Sequence, residues 1–504
     1  MTGDTGRGVG APTDGGIRPG AGVLTAACVS TLVVNANTSA VSILLPSISS
    51  DLDVPVDVLQ WAVTGYLLVG AAVIVTSGAL GDVFGRRRIF VAGLLLFVVS
   101  CALIALARGG TLVVVGRLIQ GAAGATILAC GLSLLSVASS GAAQMRAVTL
   151  WGAAAAAGAA GGPVIGGVLN ELTGWQGLFW IDAVVAAACI PLTLRAVAES
   201  RDPNRPPTID LAGTVLIACV LVPFVFAMTE GPGWGWFSLP TLLCLGLTVL
   251  AGFGFVAVEQ RVSSPLVDLR LLRNVALVAS TWVIFVGAGV IAALSFLLSL
   301  YFQDPSTLGF SSLTAGLAML PLAAVVIVLA PLVTPLAHRF GTRNAVLGGF
   351  VVLSTGFALL VLVTPSWPYT RFLIPLLCIA AGLSLTNGPA SSVATSCVTA
   401  EQVGQASGIS NMARYVGGAV MTAVAAGVYG SVIAGRTADG ADRADALAAG
   451  FSAAAVVLTV FSAVSIVLAV FAAHRPPRPH AVDYAAAAAS TSHTIPVPEL
   501  GSTR

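Results

Sequence analysis

The sequence predicts an all-α polytopic membrane protein made of two six-helix halves with two further helices inserted between them. Three observations lead there. The chain is 57% hydrophobic and 9% charged, with a mean hydropathy of +0.97, and a soluble protein of 504 residues could not bury that much apolar side chain. The apolar residues gather into about fourteen runs long enough to cross a bilayer, separated by short polar segments. A short motif between two of these runs returns, in related form, between two much later ones.

That motif is the stretch Gly78 to Arg88, G-A-L-G-D-V-F-G-R-R-R. Gly81 and Gly85 permit a tight turn and close helix approach. Asp82 is placed to cap a helix or to accept hydrogen bonds from an arginine such as Arg86. Arg86, Arg87 and Arg88 hold this end on the cytoplasmic side. The second copy is Leu336 to Arg343, L-A-H-R-F-G-T-R, and both fit L-x-[DH]-x-F-G-x-R.

Taken in order, the first six spans are expected at about Val23–Leu45, Val58–Ala79, Ile89–Ala107, Thr111–Leu135, Ala147–Asn170 and Gly177–Val197. Pro46 is expected to stop the first. A polar, proline-bearing linker, Ser200 to Thr208, separates this half from two inserted spans, about Ile209–Met228 and Ser238–Val258, joined by E-G-P-G-W-G-W. Six more follow at about Val275–Tyr301, Leu313–Leu336, Ala345–Thr364, Arg371–Val393, Gln405–Ile433 and Gly450–Ala472. The organisation is therefore a disordered cytoplasmic start (1–22), a first half (23–197), a linker with the inserted pair (198–274), a second half (275–472) and a disordered cytoplasmic tail (473–504).

Charge placement supports this topology. All 23 basic residues apart from histidine are arginine, which with the abundant Ala, Gly and Val reads as a GC-rich bacterial coding bias. About seventeen arginines fall on the cytoplasmic side, about four outside, and Arg117 and Arg414 within spans, as the positive-inside rule requires. The expected location is the bacterial cytoplasmic membrane, crossed many times, with both termini inside.

Charge within a span costs on the order of 2.5–3.5 kcal/mol on insertion scales, so it usually faces a cavity or a partner. Arg117 stands in R-L-I-Q-G-A-A-G with Gln120 one turn away. It either snorkels to the nearer interface or binds anionic or carbonyl groups in a cavity. Arg414, with Asn411 one turn before it and Tyr415 beside it, carries the same two readings. Asp182 is either in the headgroup region or a proton-titrating site. Asn37 could hydrogen-bond a substrate or a neighbouring helix. Trp61, Tyr66, Trp282, Phe285 and Tyr415 could line a greasy cavity, although singly each reads as packing. In the fifth span Gly158, Gly162, Pro163, Gly166 and Gly167 form G-x-x-x-G-P-x-x-G-G, a smooth face on which a neighbouring helix can move.

Other chemistries find no support in the sequence. There is no G-x-x-x-x-G-K-[ST] and no lysine to complete one, so no nucleotide site is expected, and nothing suggests nucleic-acid binding. No His, Cys and carboxylate group has metal-ligand spacing, and the eight cysteines lie in apolar runs with no C-x-x-C. Neither cofactor nor metal nor enzymatic constellation is expected, and the energy source is an ion gradient or the substrate's own gradient.

These motifs resemble the major facilitator superfamily, and within it the fourteen-helix drug:proton antiporter branch. The resemblance rests on the Gly78–Arg88 hairpin; Gln60 to Leu68, Q-W-A-V-T-G-Y-L-L; Gly116 to Gly124, G-R-L-I-Q-G-A-A-G; Gly158 to Gly167, G-A-A-G-G-P-V-I-G-G; and the stretch Glu259 to Leu272. It implies alternating access, proton coupling through Arg117, and export rather than import. It departs in two places. The branch often has an aspartate where this chain has Asn37, and an asparagine where this chain has Asp182. One expectation is that Asp182 takes over proton exchange from the position of Asn37. The implied activity is secondary-active export of hydrophobic small molecules, drugs or antibiotics, coupled to protons across the bilayer. Alternatives are a dedicated exporter of one secondary metabolite or self-made antibiotic, and a facilitator without proton coupling. The two intramembrane arginines tilt the expected substrates toward neutral or anionic compounds.

Overall fold

The computed structural model describes residues 19–138, 141–201, 210–262, 265–399 and 402–472. The first half comprises α1 (Pro19–Leu52), α2 (Val56–Phe84), α3 (Arg86–Ala105), α4 (Gly110–Ala138), α5 (Gly141–Thr173) and α6 (Gln176–Ala196). The inserted pair is α7 (Leu211–Trp234) and α8 (Leu239–Glu259). The second half is α9 (Val275–Gln303), α10 (Ser312–Ala318), α11 (Leu320–Phe340), α12 (Thr342–Leu360), α13 (Tyr369–Ser396), α14 (Val403–Ala438) and α15 (Arg443–Ala472). Fourteen helical segments are long and apolar enough to cross a membrane, α10 and the start of α11 forming one of them, and the described residues contain no strand.

Three local expectations are corrected. α1 begins at Pro19, inside the segment expected to be irregular, and it does not stop at Pro46 but runs to Leu52. Proline lacks the N–H that would bond the carbonyl four residues back, here Ser42. That carbonyl accepts from Ser299 Oγ of α9 at 2.5 Å, and Gln303 Nε2 bonds the next one, Ile43, at 3.0 Å. Neighbours thus satisfy the backbone group that the proline frees. The tenth span is broken at Met319, because Pro321 sits in the first turn of α11, where its missing N–H costs nothing. The linker expected between the inserted helices is partly helical: α7 continues through Glu230 to Trp234 and ends at Gly235 with φ 91°. Residues 1–18, 202–209 and 473–504, which include most of the expected disordered start, the expected disordered tail and most of the linker, lie outside the described residues.

The two hairpins share one backbone solution. α2 ends at Phe84 and α3 starts at Arg86, with Gly85 at φ 116°; α11 ends at Phe340 and α12 starts at Thr342, with Gly341 at φ 86°. Only glycine adopts such angles without strain. Both hairpins stand at the same end of the bundle, called here the hairpin end.

In the first half α1 packs on α5, α2 on α4, and α3 on α4 and α6; in the second α9 packs on α14 and α12 on α13. The halves meet through α2 with α14, α1 with α9, and α5 with α10. The inserted α7 lies on both α2 and α14, across the seam between the halves. Thr214 of α7 and Thr76 of α2 have hydroxyls 2.7 Å apart, and Trp61 Nε1 donates to Glu230 Oε1 at 3.4 Å.

Small residues let the backbones approach, which is how helices associate where no hydrophobic driving force separates lipid from protein. A Cβ on Gly158 would strike the carbonyl oxygen of Leu32, and one on Gly162 that of Ala36. Gly166 meets Ala40 one turn further along. The other side of the same motif faces the second half: Gly167 abuts Ser312 and Leu313, and the Pro163 carbonyl abuts Gly316 of α10. Replacing Gly162 by leucine is expected to separate α1 from α5. Overpacking of this kind costs about 1–3 kcal/mol, and thermal unfolding of the detergent-solubilised protein should show a lowered transition. An unchanged transition would mean the close contact contributes nothing.

Candidate functional site

The centre of the first half holds one hydrogen-bonded chain of polar side chains. It starts from α4, where Gly121 has no Cβ to collide with the Tyr66 backbone carbonyl. α4 therefore lies close on α2, and Arg117 Nε reaches the carbonyl oxygen of Ala62 at 2.8 Å. Arg117 Nη1 donates to Asn37 Oδ1 at 2.6 Å and to Gln120 Oε1 at 2.5 Å. Asn37 Nδ2 in turn donates to Asp182 Oδ2 at 2.7 Å, and Gln120 Nε2 to Cys101 Sγ at 3.0 Å. The Tyr66 ring covers the guanidinium, 4.2 Å from Arg117 Cζ to the ring centroid.

All of this is shut off from solvent. Arg117, Asn37 and Gln120 are 0% exposed and Asp182 is 5% exposed. Both charged side chains are enclosed by protein and turned toward polar partners on neighbouring helices. The cation and the carboxylate are held apart by one amide that bonds both, its oxygen toward Arg117 and its nitrogen toward Asp182. Arg117 Nη2 has no partner, so even this satisfied network leaves one buried donor free.

Tyr66 extends the cluster to the other half. Its ring centroid is 6.5 Å from that of Tyr415 on α14, and its hydroxyl is 3.0 Å from that of Thr38. Arg414, next to Tyr415, is exposed, and Asn411 is half-buried. Three expected cavity residues are placed elsewhere. Trp61 packs on Phe226 of α7, at 5.2 Å between centroids, and bonds Glu230. Trp282 and Phe285 stack on each other at 5.4 Å, and Trp282 Nε1 bonds Ser465 of α15. None of the three is hydrogen-bonded to the Arg117 cluster among the described residues.

At the end opposite the hairpins the halves are tied by neutral polar groups. Asn170 Nδ2 donates to Ser47 Oγ at 2.9 Å and to Ser312 Oγ at 3.0 Å, and Ser312 Oγ donates to Gln303 Oε1 at 3.0 Å. Together with the Ser47 and Ser312 hydroxyls, 3.2 Å apart, the two bonds to the α1 carbonyls beside Pro46 and that of Ser311 to Glu171, the Asn170–Ser312 bond ties the halves at this end. Beyond them lies an open cleft of about 1170 Å³ lined by Asp51, Asp57, Gln60, Asp304 and Arg443 among others. Sequence reading missed this seal. The only signal was Pro46 inside a run that stayed apolar on both sides.

At the hairpin end, Asp82 and Arg86 pair at 2.8 Å. Arg87 N donates to Glu199 Oε1 at 3.1 Å, and Arg86 N to the carbonyl of Ser200 at 3.0 Å. The residues just after α6 thus clamp the first hairpin.

Residues 27–422 match the sequence profile of the Major Facilitator Superfamily. The chain belongs to that superfamily. It is 32% identical over 418 residues to the tetracenomycin C resistance and export protein of Streptomyces glaucescens, covering 82% of this chain and 76% of that one. It is likewise 32% identical over 395 residues to the multidrug resistance protein Stp of Mycobacterium tuberculosis, covering 78% and 72%. Among solved structures, the POT family transporter PepTSo superposes with a TM-score of 0.66 over 91% of this chain and 99% of that one, at 13% identity, a likeness of fold. One relative is a resistance and export protein for an antibiotic and the other a multidrug resistance protein, and this chain is a multi-pass membrane transporter of the superfamily.

Removing the amide that joins the two charges has a defined cost. In Asn37→Leu both Asp182 Oδ2 and Arg117 Nη1 lose a buried partner, at about 1–3 kcal/mol for each unsatisfied group. The variant is expected to unfold at clearly lower temperature than wild type in detergent. Asn37→Asp should also be destabilised, because it sets a second carboxylate against Asp182. Wild-type stability in both would show that the bonds are not formed.

Proposed function

We propose that this protein is a secondary-active exporter of hydrophobic small molecules, working by alternating access and driven by inward proton flow. It acts in a bacterial cytoplasmic membrane with both termini inside. The observation that carries the proposal is the Asp182–Asn37–Arg117 chain: the titratable carboxyl in the centre of the first half is one amide away from a sequestered guanidinium. The named roles of the relatives supply the direction of transport and the substrate class.

The chemistry follows from charge balance. With Asp182 ionised, the buried cluster carries one negative and one positive charge and is neutral as a whole. Protonation of Asp182 leaves Arg117 uncompensated in a low-dielectric interior, which is costly. A cluster that is neutral in one protonation state and cationic in the other favours different helix arrangements in the two states. Tyr66 lies on the guanidinium and near Tyr415 of the other half, so it is the side chain through which that change reaches the seam. One charge crossing about 100 mV supplies about 2.3 kcal/mol, enough for roughly a fortyfold concentration gradient.

The exchanged pair gives the test. In the branch that the sequence resembles, the acid is often at the position of Asn37 and the amide at that of Asp182. Here they are interchanged across a 2.7 Å hydrogen bond. In everted vesicles with an acid interior, substrate addition should collapse the pH gradient for wild type and not for Asp182→Asn. The double exchange Asn37→Asp with Asp182→Asn restores one acid and one amide, and should recover proton flux to within about a factor of ten. Proton flux that survives Asp182→Asn would end the proposal for this residue.

A further inference from the structure

We infer that Arg414 is a recognition site for an acidic group on the substrate, so that the cavity takes aromatic organic anions such as carboxylates or phenolates. This rests on the export reading for its biological meaning, but not for its geometry.

The structure separates two arginines that the sequence presents alike. Arg117 is out of any ligand's reach: it is wholly buried, Nε and Nη1 are bonded to three protein acceptors, and Tyr66 covers its face. Arg414 is the reverse. It stands between the buried Ala413 and Tyr415 and is itself exposed, and among the described residues no hydrogen bond or ion pair engages it.

Its direction is set by α14. Gly418, one turn away on the same face, abuts Leu67 of α2 and Ala292 of α9, one from each half. Tyr415 lies against Gly70 of α2, and Gly417 against Phe285 of α9. The face bearing Arg414 and Asn411 therefore looks between α2 and α9 into the space between the halves. It does so on the hairpin side of the Leu67–Gly418–Ala292 layer, and the seal at the opposite end lies beyond that layer.

Among the described residues no carboxylate pairs with it. Asp182 is occupied by Asn37 inside the first half, Glu230 bonds Trp61 across the seam, and the other described acids stand at helix ends or in loops. A guanidinium at this depth without a carboxylate is costly unless water or a ligand compensates it. An anionic ligand supplies the missing partner, and the planar fork of arginine suits a carboxylate held by two hydrogen bonds. The adjacent Tyr415, within ring-contact distance of Tyr66, favours an aromatic body on the same ligand.

The test is equilibrium binding of anthraquinone-2-carboxylate and of its methyl ester to the purified full-length protein, read by quenching of tryptophan fluorescence. The carboxylate should bind wild type about tenfold to a hundredfold more tightly than the ester, the range expected for a charged hydrogen bond. Arg414→Gln should bring the two affinities together while leaving the ester's own affinity nearly unchanged, and Arg414→Lys should keep most of the preference. Equal binding of acid and ester by wild type, no binding of either, or a preference that survives Arg414→Gln would overturn the assignment. Displacement of the probe by phosphatidylglycerol micelles but not by excess benzoate would assign the guanidinium to a lipid headgroup and overturn it equally. Efflux of drugs without this charge preference sinks the assignment alone. A charge preference in binding without efflux sinks the export reading alone.

Discussion

A guanidinium placed in the middle of a helical membrane bundle must be answered by acceptors, and the first half is arranged around answering Arg117. Its three bonded acceptors come from three different helices, α1, α2 and α4 itself, and the carboxylate behind them comes from a fourth, α6. The Ala62 carbonyl is within reach only because α4 approaches α2 so closely, which is what glycine rather than alanine at Gly121 permits. The fourth-helix motif is thus one device in two parts. Arginine and glutamine provide the polar centre, and the glycines provide the approach that makes it reachable.

The contact between halves is of a different kind. At the end opposite the hairpins its hydrogen bonds are made by serine, asparagine and glutamine side chains and backbone carbonyls, with Glu171 the one carboxylate taking part among the described residues. Such bonds contribute little net energy each, about 0.5–1.5 kcal/mol. An interface of weak, neutral contacts can open without the penalty of separating paired charges, as an alternating mechanism requires. Pro46 has a part in this: by releasing the Ser42 carbonyl it creates an acceptor that α1 would otherwise consume internally, and Ser299 of the other half takes it.

The inserted helices are not bystanders at the periphery. α7 spans the α2–α14 seam, bonded to α2 through Thr76 and Trp61. Any rocking of one half on the other must slide α14 along α7 or carry α7 with α2. The side-chain hydrogen bonds to α2 favour the second course.

The sequence by itself determined the class of protein, the number of spans, the two glycine hairpins and the identity of the polar residues that matter, because each depends on local properties: run length, charge placement, and a glycine where the backbone turns through positive φ. It identified Asn37, Arg117, Gln120 and Asp182 singly. Only the tertiary structure decided that they form one chain, since Asn37 and Asp182 are 145 residues apart and no local rule pairs them. The same holds for the two arginines, equal in any hydropathy reading. One is enclosed by acceptors from neighbouring helices and the other is exposed, with no bonded acceptor among the described residues. Whether a buried charge is compensated depends on which helices lie beside it. That is fixed by packing, and packing is where Pro46 changed from a helix end into a point of contact between halves.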